Sequence, residues 1–284
     1  MLKHIDLLKV YLLYYRQTNN VGKEQSIMAY VISIANQKGG AGKTTSAINL
    51  AAALAEKKRR VLLIDADHQS ASATYVLAPE TKNCALTQAI MGGGVEVIRI
   101  NKKYDMLVSS LQLGDTADSL MEIKTPKIRN KKLKIALEEV KDNYDYVIID
   151  CPPAYNSITY NALWASDFCI IPMQADDLHA VALEDMLDIC ELVQEQGGKI
   201  VPLGILMTNF GNRKLHKKYA EVIGEQYPEM LFYYKIRNNI DLQETANAHK
   251  GIFAYSPTSN GAKDYKEVAN ELERKIKAIE KEGK

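Results

Sequence analysis

From residue 29 onward the chain lays down short apolar runs with helical stretches between them, and that alternation limits its fold more than any other feature. The runs cover 29–35 (AYVISIA), 60–67 (RVLLIDAD), 104–110 (YDMLVSS), 144–153 (YDYVIIDCPP), 167–174 (DFCIIPMQ) and 201–210 (VPLGILMTNF). They are continuous instead of alternating, the pattern of strands covered on both faces. Residues 46–56 (SAINLAAALAE) and 183–198 (LEDMLDICELVQEQGG) read as helices, the second closed by Gly197 and Gly198. The expected fold class is α/β: a doubly wound, mostly parallel sheet flanked by helices. No Pro/Gly/Ser linker or internal repeat divides the chain, so 28–284 is expected to be one domain. In the tail, Tyr265, Val268, Leu272, Ile276 and Ile279 recur at helical spacing and predict a helix docked on the body. Residues 1–27 read as an N-terminal extension of helical pattern. Its apolar run is short and broken by Asp6 and Lys9, which suits neither a signal peptide nor a membrane span.

The first strand runs into NQKGGAGKTT, residues 36–45. This nearly matches the phosphate-binding pattern G-x-x-x-x-G-K-[ST], but Gln37 stands where the first glycine belongs, and Lys38 follows it. The context fits: the loop leaves a strand and opens a helix. Gly39, Gly40 and Gly42 allow close backbone approach to phosphate, with the N–H groups of the loop, Ala41 and Thr45 included, turned toward it. The helix N-terminus adds partial positive charge. Lys43 is expected to neutralise the β- and γ-phosphates, and the Thr44 hydroxyl to bind Mg²⁺. Lys38 is either a solvated loop lysine or a second cation reaching the nucleotide of a partner subunit.

Three acids follow buried runs. Asp150 lies at the end of one, where a carboxylate can hold Mg²⁺ through water. Asp65 and Asp67 close the neighbouring run, and residues two apart on a strand face the same way. An isolated strand-end Asp is equally a cap or turn former; three beside a phosphate loop favour a metal-nucleotide site.

KGGAGKTT resembles the deviant Walker-A loop, K-G-G-x-G-K-[ST], of the ParA/MinD family of P-loop ATPases. The resemblance extends over nearly the whole chain from Met28, through VLLIDADHQSAS, YDYVIIDCPPA and IIPMQADDLHAV. The stretch IRNNIDLQETANAHKGIFAYSPTSNGAKDYKEVANEL is similar to the C-terminal region of ParA partition ATPases. That resemblance implies ATP and Mg²⁺ as cofactors and an ATP-bound homodimer in which Lys38 meets the partner's nucleotide. It implies catalytic roles for Lys38, Lys43 and Asp67, with Asp67 acting on the attacking water, and Mg²⁺ bound by Thr44, Asp65 and Asp150. Adenine would meet Asn209 at the end of the sixth run, with Thr208 beside it, and Ile236 and Arg237. His68, Ser70 and Ala71 stand where the family usually has proline, glycine and asparagine, so the shape of that turn is left open.

Net charge is +1, so a nucleic-acid partner must be met by local patches. KTPKIRNKKLK, 124–134, carries six cations and no acid, and RKLHKK, 213–218, carries four. With Arg237 and Lys250 in the ParA-like region, the cations Arg213, Lys214, Lys217 and Lys218 are expected to hold DNA without sequence preference. The resemblance further implies a centromere-binding partner of the ParB class and a cytoplasmic, nucleoid-associated location. A MinD-like membrane-cycling ATPase and a soluble P-loop metabolic enzyme are the alternatives. The tail, KIKAIEKEGK, lacks the bulky apolar face a membrane anchor needs. Cys84, Cys151, Cys169 and Cys190 are scattered with no C-x-x-C, so no metal or disulfide framework is expected.

Overall fold

The computed structural model describes residues 29–67, 72–102 and 104–282. The expected N-terminal extension and the turn containing His68, Ser70 and Ala71 lie outside them. The main elements run β1 (Tyr30–Ile34), α1 (Lys43–Glu56), β2 (Val61–Asp65), β3 (Ile98–Arg99), β4 (Tyr104–Leu107), α2 (Leu113–Met121), β5 (Tyr146–Asp150), α3 (Ser157–Ala165), β6 (Phe168–Met173), α4 (Asp177–Glu195), β7 (Val201–Met207), α5 (Lys214–Gln226) and α6 (Asn260–Glu282). The strands form one sheet in the order β3-β4-β2-β5-β1-β6-β7. All pairs are parallel except β3 with β4. The six strands expected from the apolar runs are all present. The seventh, β3, was not expected, because two residues at an antiparallel edge leave no periodic signal in sequence.

Register decides where chemistry can occur. Winding reverses around β1: β2 and β4 lie to one side, β6 and β7 to the other. In open α/β sheets the crevice at the carboxyl ends of strands beside such a reversal is the binding site. Ile34 pairs with Asp150, and Asp150 pairs with Asp65, so β1, β5 and β2 end level with one another. The loop leaving β1 therefore starts beside two carboxylates.

The predicted tail helix exists as α6 and lies on α1. Tyr265, Val268, Leu272, Ile276 and Ile279 are all buried, worth about 1.5–3 kcal/mol each for a fully buried large side chain. The Tyr265 hydroxyl meets Ser46 Oγ at 3.1 Å, which ties α6 to the helix that carries the phosphate loop. Helix α4 ends as its glycines predict: Gly197 has φ +93°, and the Gly198 N–H donates back to the Val193 carbonyl at 2.8 Å.

Gly204, inside β7, is required for space. A Cβ there would lie 2.4 Å from Phe232 Cε2 and 2.7 Å from the Met230 carbonyl oxygen, which itself accepts from the Ile205 N–H at 2.9 Å. Gly204→Ala is expected to cost about 3 kcal/mol, the upper end for overpacking a core. A urea midpoint equal to that of the parent chain would refute this.

Candidate nucleotide site

The phosphate loop is shaped by two left-handed glycines and held by side chains from three strand ends. Gly40 has φ +77° and Gly42, the N-cap of α1, has φ +87°, conformations that strain any residue with a Cβ. A Cβ on Gly42 would also press on Thr208 Cγ2 at 3.3 Å, whereas Gly39 and Gly40 border open space. Asn36, just past β1, accepts from the Lys38 N–H at 2.8 Å and donates to the Pro172 carbonyl at 2.7 Å. Gln174, just past β6, donates through Nε2 to the Gly40 carbonyl at 2.7 Å. Thr208, just past β7, donates to the Ala41 carbonyl at 2.9 Å. The Gly40 and Ala41 carbonyls are thus held by side chains, and the Lys38 N–H is taken by Asn36; a loop whose remaining N–H groups turn to its mouth is the arrangement that cradles anions. Gln37, at the missing-glycine position, is exposed just after β1 ends.

Below the loop the charges converge. Lys43 is buried, and its ammonium donates to the Lys38 carbonyl at 3.2 Å. Burial lowers its pKa, opposed by the negative fields of Asp150 and Asp67. Asp150 is fully buried, and neither carboxylate oxygen has a hydrogen-bond partner of proper geometry among the described residues. Burial first and Asp65 second push its carboxyl well above the usual range; the Thr44 hydroxyl and Lys43 pull the other way. A buried carboxylate left this way is costly unless a cation or donor meets it. Among the described residues no group of three or more His, Cys, Asp or Glu side chains converges for a metal. Mg²⁺ takes one or two protein oxygens and fills its octahedron with phosphate and water. Asp150 with the adjacent Thr44 hydroxyl fits such a site.

Asp65 and Asp67 do not share one strand face as the alternation predicts. Strand β2 ends at Asp65, and Asp67 lies beyond it. Asp65 accepts from the Asp67 N–H at 3.1 Å and the Thr74 N–H at 2.8 Å, one on each oxygen. Burial raises its pKa, against hydrogen bonds from Thr74 and Ser72. Its carboxylate ties the backbone at Asp67 to that at Thr74, the alternative open for any strand-end Asp. Asp67 is 7% exposed, and its carbonyl accepts from Ser109 Oγ at 2.8 Å.

At the other side of the loop, Asn209 follows β7 with φ +49°, and its Nδ2 donates to Gln174 Oε1 at 3.3 Å. The segment carrying Ile236 and Arg237 runs beside it: the Ile236 N–H donates to the Met207 carbonyl at 2.8 Å, and the Phe210 N–H to the Ile236 carbonyl at 2.9 Å. The Ile236 side chain is 2% exposed and belongs to the core, so it presents no apolar face to a base; only its backbone borders the site. Arg237 is paired with Asp264 at 2.6 Å, which also accepts the Arg237 N–H at 3.0 Å.

The cations divide. Arg213, Lys214, Lys217 and Lys218 are exposed at the start of α5, which follows the carboxyl end of β7. Lys250 is exposed too. Arg237 is half-exposed and already neutralised by Asp264. The 124–134 run is partly folded into the body: Lys131 lies over the Trp164 ring at 5.0 Å. Burial and Lys199 lower the Lys134 pKa, against Asp167.

A nucleotide-type loop at a sheet reversal, over a buried unpartnered carboxylate, defines a P-loop protein of the deviant kind. The comparisons agree. A family model described as an AAA domain matches residues 29–201. The sporulation initiation inhibitor protein Soj of Bacillus subtilis (strain 168) is 35% identical over 254 residues, covering 86% of this chain and 98% of that protein. The chromosome partitioning protein ParA of Caulobacter vibrioides is 31% identical over 251 residues, covering 85% and 93%. Among solved structures, cobyrinic acid a,c-diamide synthase from Mycobacterium smegmatis, with a bound ATP analog and magnesium, superposes with TM-score 0.74 at 28% identity, covering 88% and 96%. The chain belongs to the ParA/MinD family of P-loop ATPases.

Asn36, Gln174 and Ser109 are structural partners of the loop and turn that sequence reasoning missed. An Asn directly before a glycine loop is a turn-former signal; a lone Gln or Ser after a strand carries none.

Proposed function

We propose that this chain is an Mg²⁺-dependent ATPase that partitions DNA as a nucleotide-switched homodimer. In this reading the backbone of 38–45 and the Lys43 ammonium hold the phosphates of ATP. The Thr44 hydroxyl and Asp150 hold Mg²⁺, with Asp65 contributing charge and supporting the Mg²⁺ shell. Bound Mg²⁺ supplies charge neutralisation at the transferring phosphate. Asp67 orients the attacking water and takes its proton. Asn209 reads adenine, with the backbone at 236–237 beside it. Lys38, whose ammonium has no hydrogen bond among the described residues, extends to the partner's nucleotide and couples ATP to dimer closure. Arg213, Lys214, Lys217, Lys218 and Lys250 contact DNA phosphates, Arg237 less so because Asp264 already claims it. Residues 28–284 act as the ATPase unit, in a cytoplasmic, nucleoid-associated setting, with a ParB-class partner stimulating turnover. The relationship to Soj and ParA, each a partner in sequence over more than four-fifths of this chain, supports partition over other family roles.

The observation that carries this reading against a membrane-cycling role is the fate of α6. Its last apolar residues, Ile276 and Ile279, are buried against the body, leaving no apolar face there for a bilayer. No helix among the described residues is long and apolar enough to cross a membrane. The likeness to the diamide synthase favours a second reading, a soluble metabolic enzyme. Sedimentation with plasmid DNA and with anionic liposomes, each with ATP or ADP, separates the three. Partition predicts ATP-dependent pelleting with DNA that weakens steeply with salt. Pelleting with liposomes instead would sink it in favour of membrane cycling, and pelleting with neither would favour the metabolic enzyme.

A further inference from the structure

Three carboxamide side chains at the rim of the loop form a hydrogen-bonded chain whose direction is dictated from one end. The Gly40 backbone carbonyl can only accept. Gln174 must therefore turn Nε2 toward it, which it does at 2.7 Å. That leaves Gln174 Oε1 facing Asn209, which meets it with Nδ2 at 3.3 Å. Asn209 Oδ1 then points the other way and accepts from Asn238 Nδ2. A carboxamide has nearly the same shape either way round, so only its hydrogen-bond partners decide its orientation. Here the decision propagates from an obligate acceptor through Gln174 to Asn209.

We propose that Gln174 is a positioning residue that sets the nucleobase preference of the site by fixing which end of the Asn209 amide donates. The proposal rests on the reading of Asn209 as the base contact. With its orientation fixed, Asn209 has one Nδ2 hydrogen and one Oδ1 lone pair beyond those the chain uses. Adenine offers an amino donor beside a ring-nitrogen acceptor, which such an amide pairs with twice. Guanine offers a carbonyl acceptor beside a ring N–H, the inverted order, and would suit the same amide turned over. Gln174 thus discriminates between bases without touching them. Its second effect, holding Gly40 in the loop, acts on phosphates and is blind to the base, so the two roles separate by measurement.

The experiment titrates ATP and GTP against the full chain and its Gln174→Ala, Gln174→Glu and Asn209→Ala variants, with a thermal melt of each to confirm folding. Parent protein is expected to prefer ATP. Gln174→Ala frees the Asn209 amide to invert, and the ratio of GTP to ATP dissociation constants is expected to fall about tenfold or more, the worth of one discriminating hydrogen bond. Gln174→Glu keeps an obligate acceptor opposite Asn209 Nδ2. It is expected to preserve that ratio while weakening both nucleotides, because it loses the Gly40 bond and adds negative charge near the phosphates. An unchanged ratio in Gln174→Ala, or an equal collapse in Gln174→Glu, overturns the proposal while leaving the base reading of Asn209 intact. A ratio untouched in Asn209→Ala, or no preference in the parent, removes that base reading as well.

Discussion

Lys43→Ala is expected to weaken ATP binding by about a hundredfold or more while leaving the chain folded. The ammonium is buried under the loop and donates to the Lys38 carbonyl at 3.2 Å, so it is held in place before any phosphate arrives. Burial disfavours its charge, and Asp150 and Asp67 restore part of it. Such a group gains more from a phosphate than an exposed lysine does, because the partner replaces lost solvation. A hydrogen bond to a charged group is worth about 1.5–3 kcal/mol. With β- and γ-oxygens both within its expected reach, the loss corresponds to about two decades in affinity. Lys43→Arg is not expected to rescue, since a planar guanidinium needs a fork of acceptors and more room than this buried position gives. Titration with a fluorescent ATP analogue is the check; affinity equal to that of the parent would remove the phosphate-loop assignment.

The fold was legible because burial writes itself into composition. The runs 60–67, 144–153 and 201–210 are apolar through their middles, since the sheet is covered on both faces, and each holds a strand, Val61–Asp65, Tyr146–Asp150 and Val201–Met207. The α6 face was legible for the same reason: five apolar residues at helical spacing have one way to leave water. The site was legible only in part. Glycine, lysine and threonine at fixed spacing identify a phosphate loop because φ and charge requirements leave few substitutes. The side chains that pin that loop were not legible. Asn36, Gln174 and Thr208 act on backbone groups 2 to 167 residues away in sequence, and a polar residue after a strand looks the same whether it faces solvent or a loop. Ile236 shows the opposite failure. It stood at an expected place, but tertiary packing turned its side chain into the core.

Asp67→Ala is expected to bind ATP with near-parent affinity yet hydrolyse it about 10²–10⁴ times more slowly, the usual contribution of a positioned general base. The geometry separates Asp67 from the other two acids. Asp65 has both oxygens committed to the turn, and Asp150 is fully buried beneath Thr44. Asp67 lies past the end of β2 with its backbone fixed on both sides, its N–H to Asp65 and its carbonyl to Ser109 Oγ. Those two bonds fix the position of the Asp67 peptide. The negative charge of Asp67 supports the Lys43 ammonium, after that of Asp150. Asp67→Asn keeps the size and loses the proton acceptor, so it should be as slow as the alanine variant if proton transfer matters, and faster than it if orientation alone does. Single-turnover hydrolysis, read alongside nucleotide titration, distinguishes the two. Because hydrolysis is the proposed release step, both variants should also remain on DNA longer with ATP than the parent chain. Normal turnover in Asp67→Ala would move the base role to another group and leave the phosphate and Mg²⁺ assignments standing.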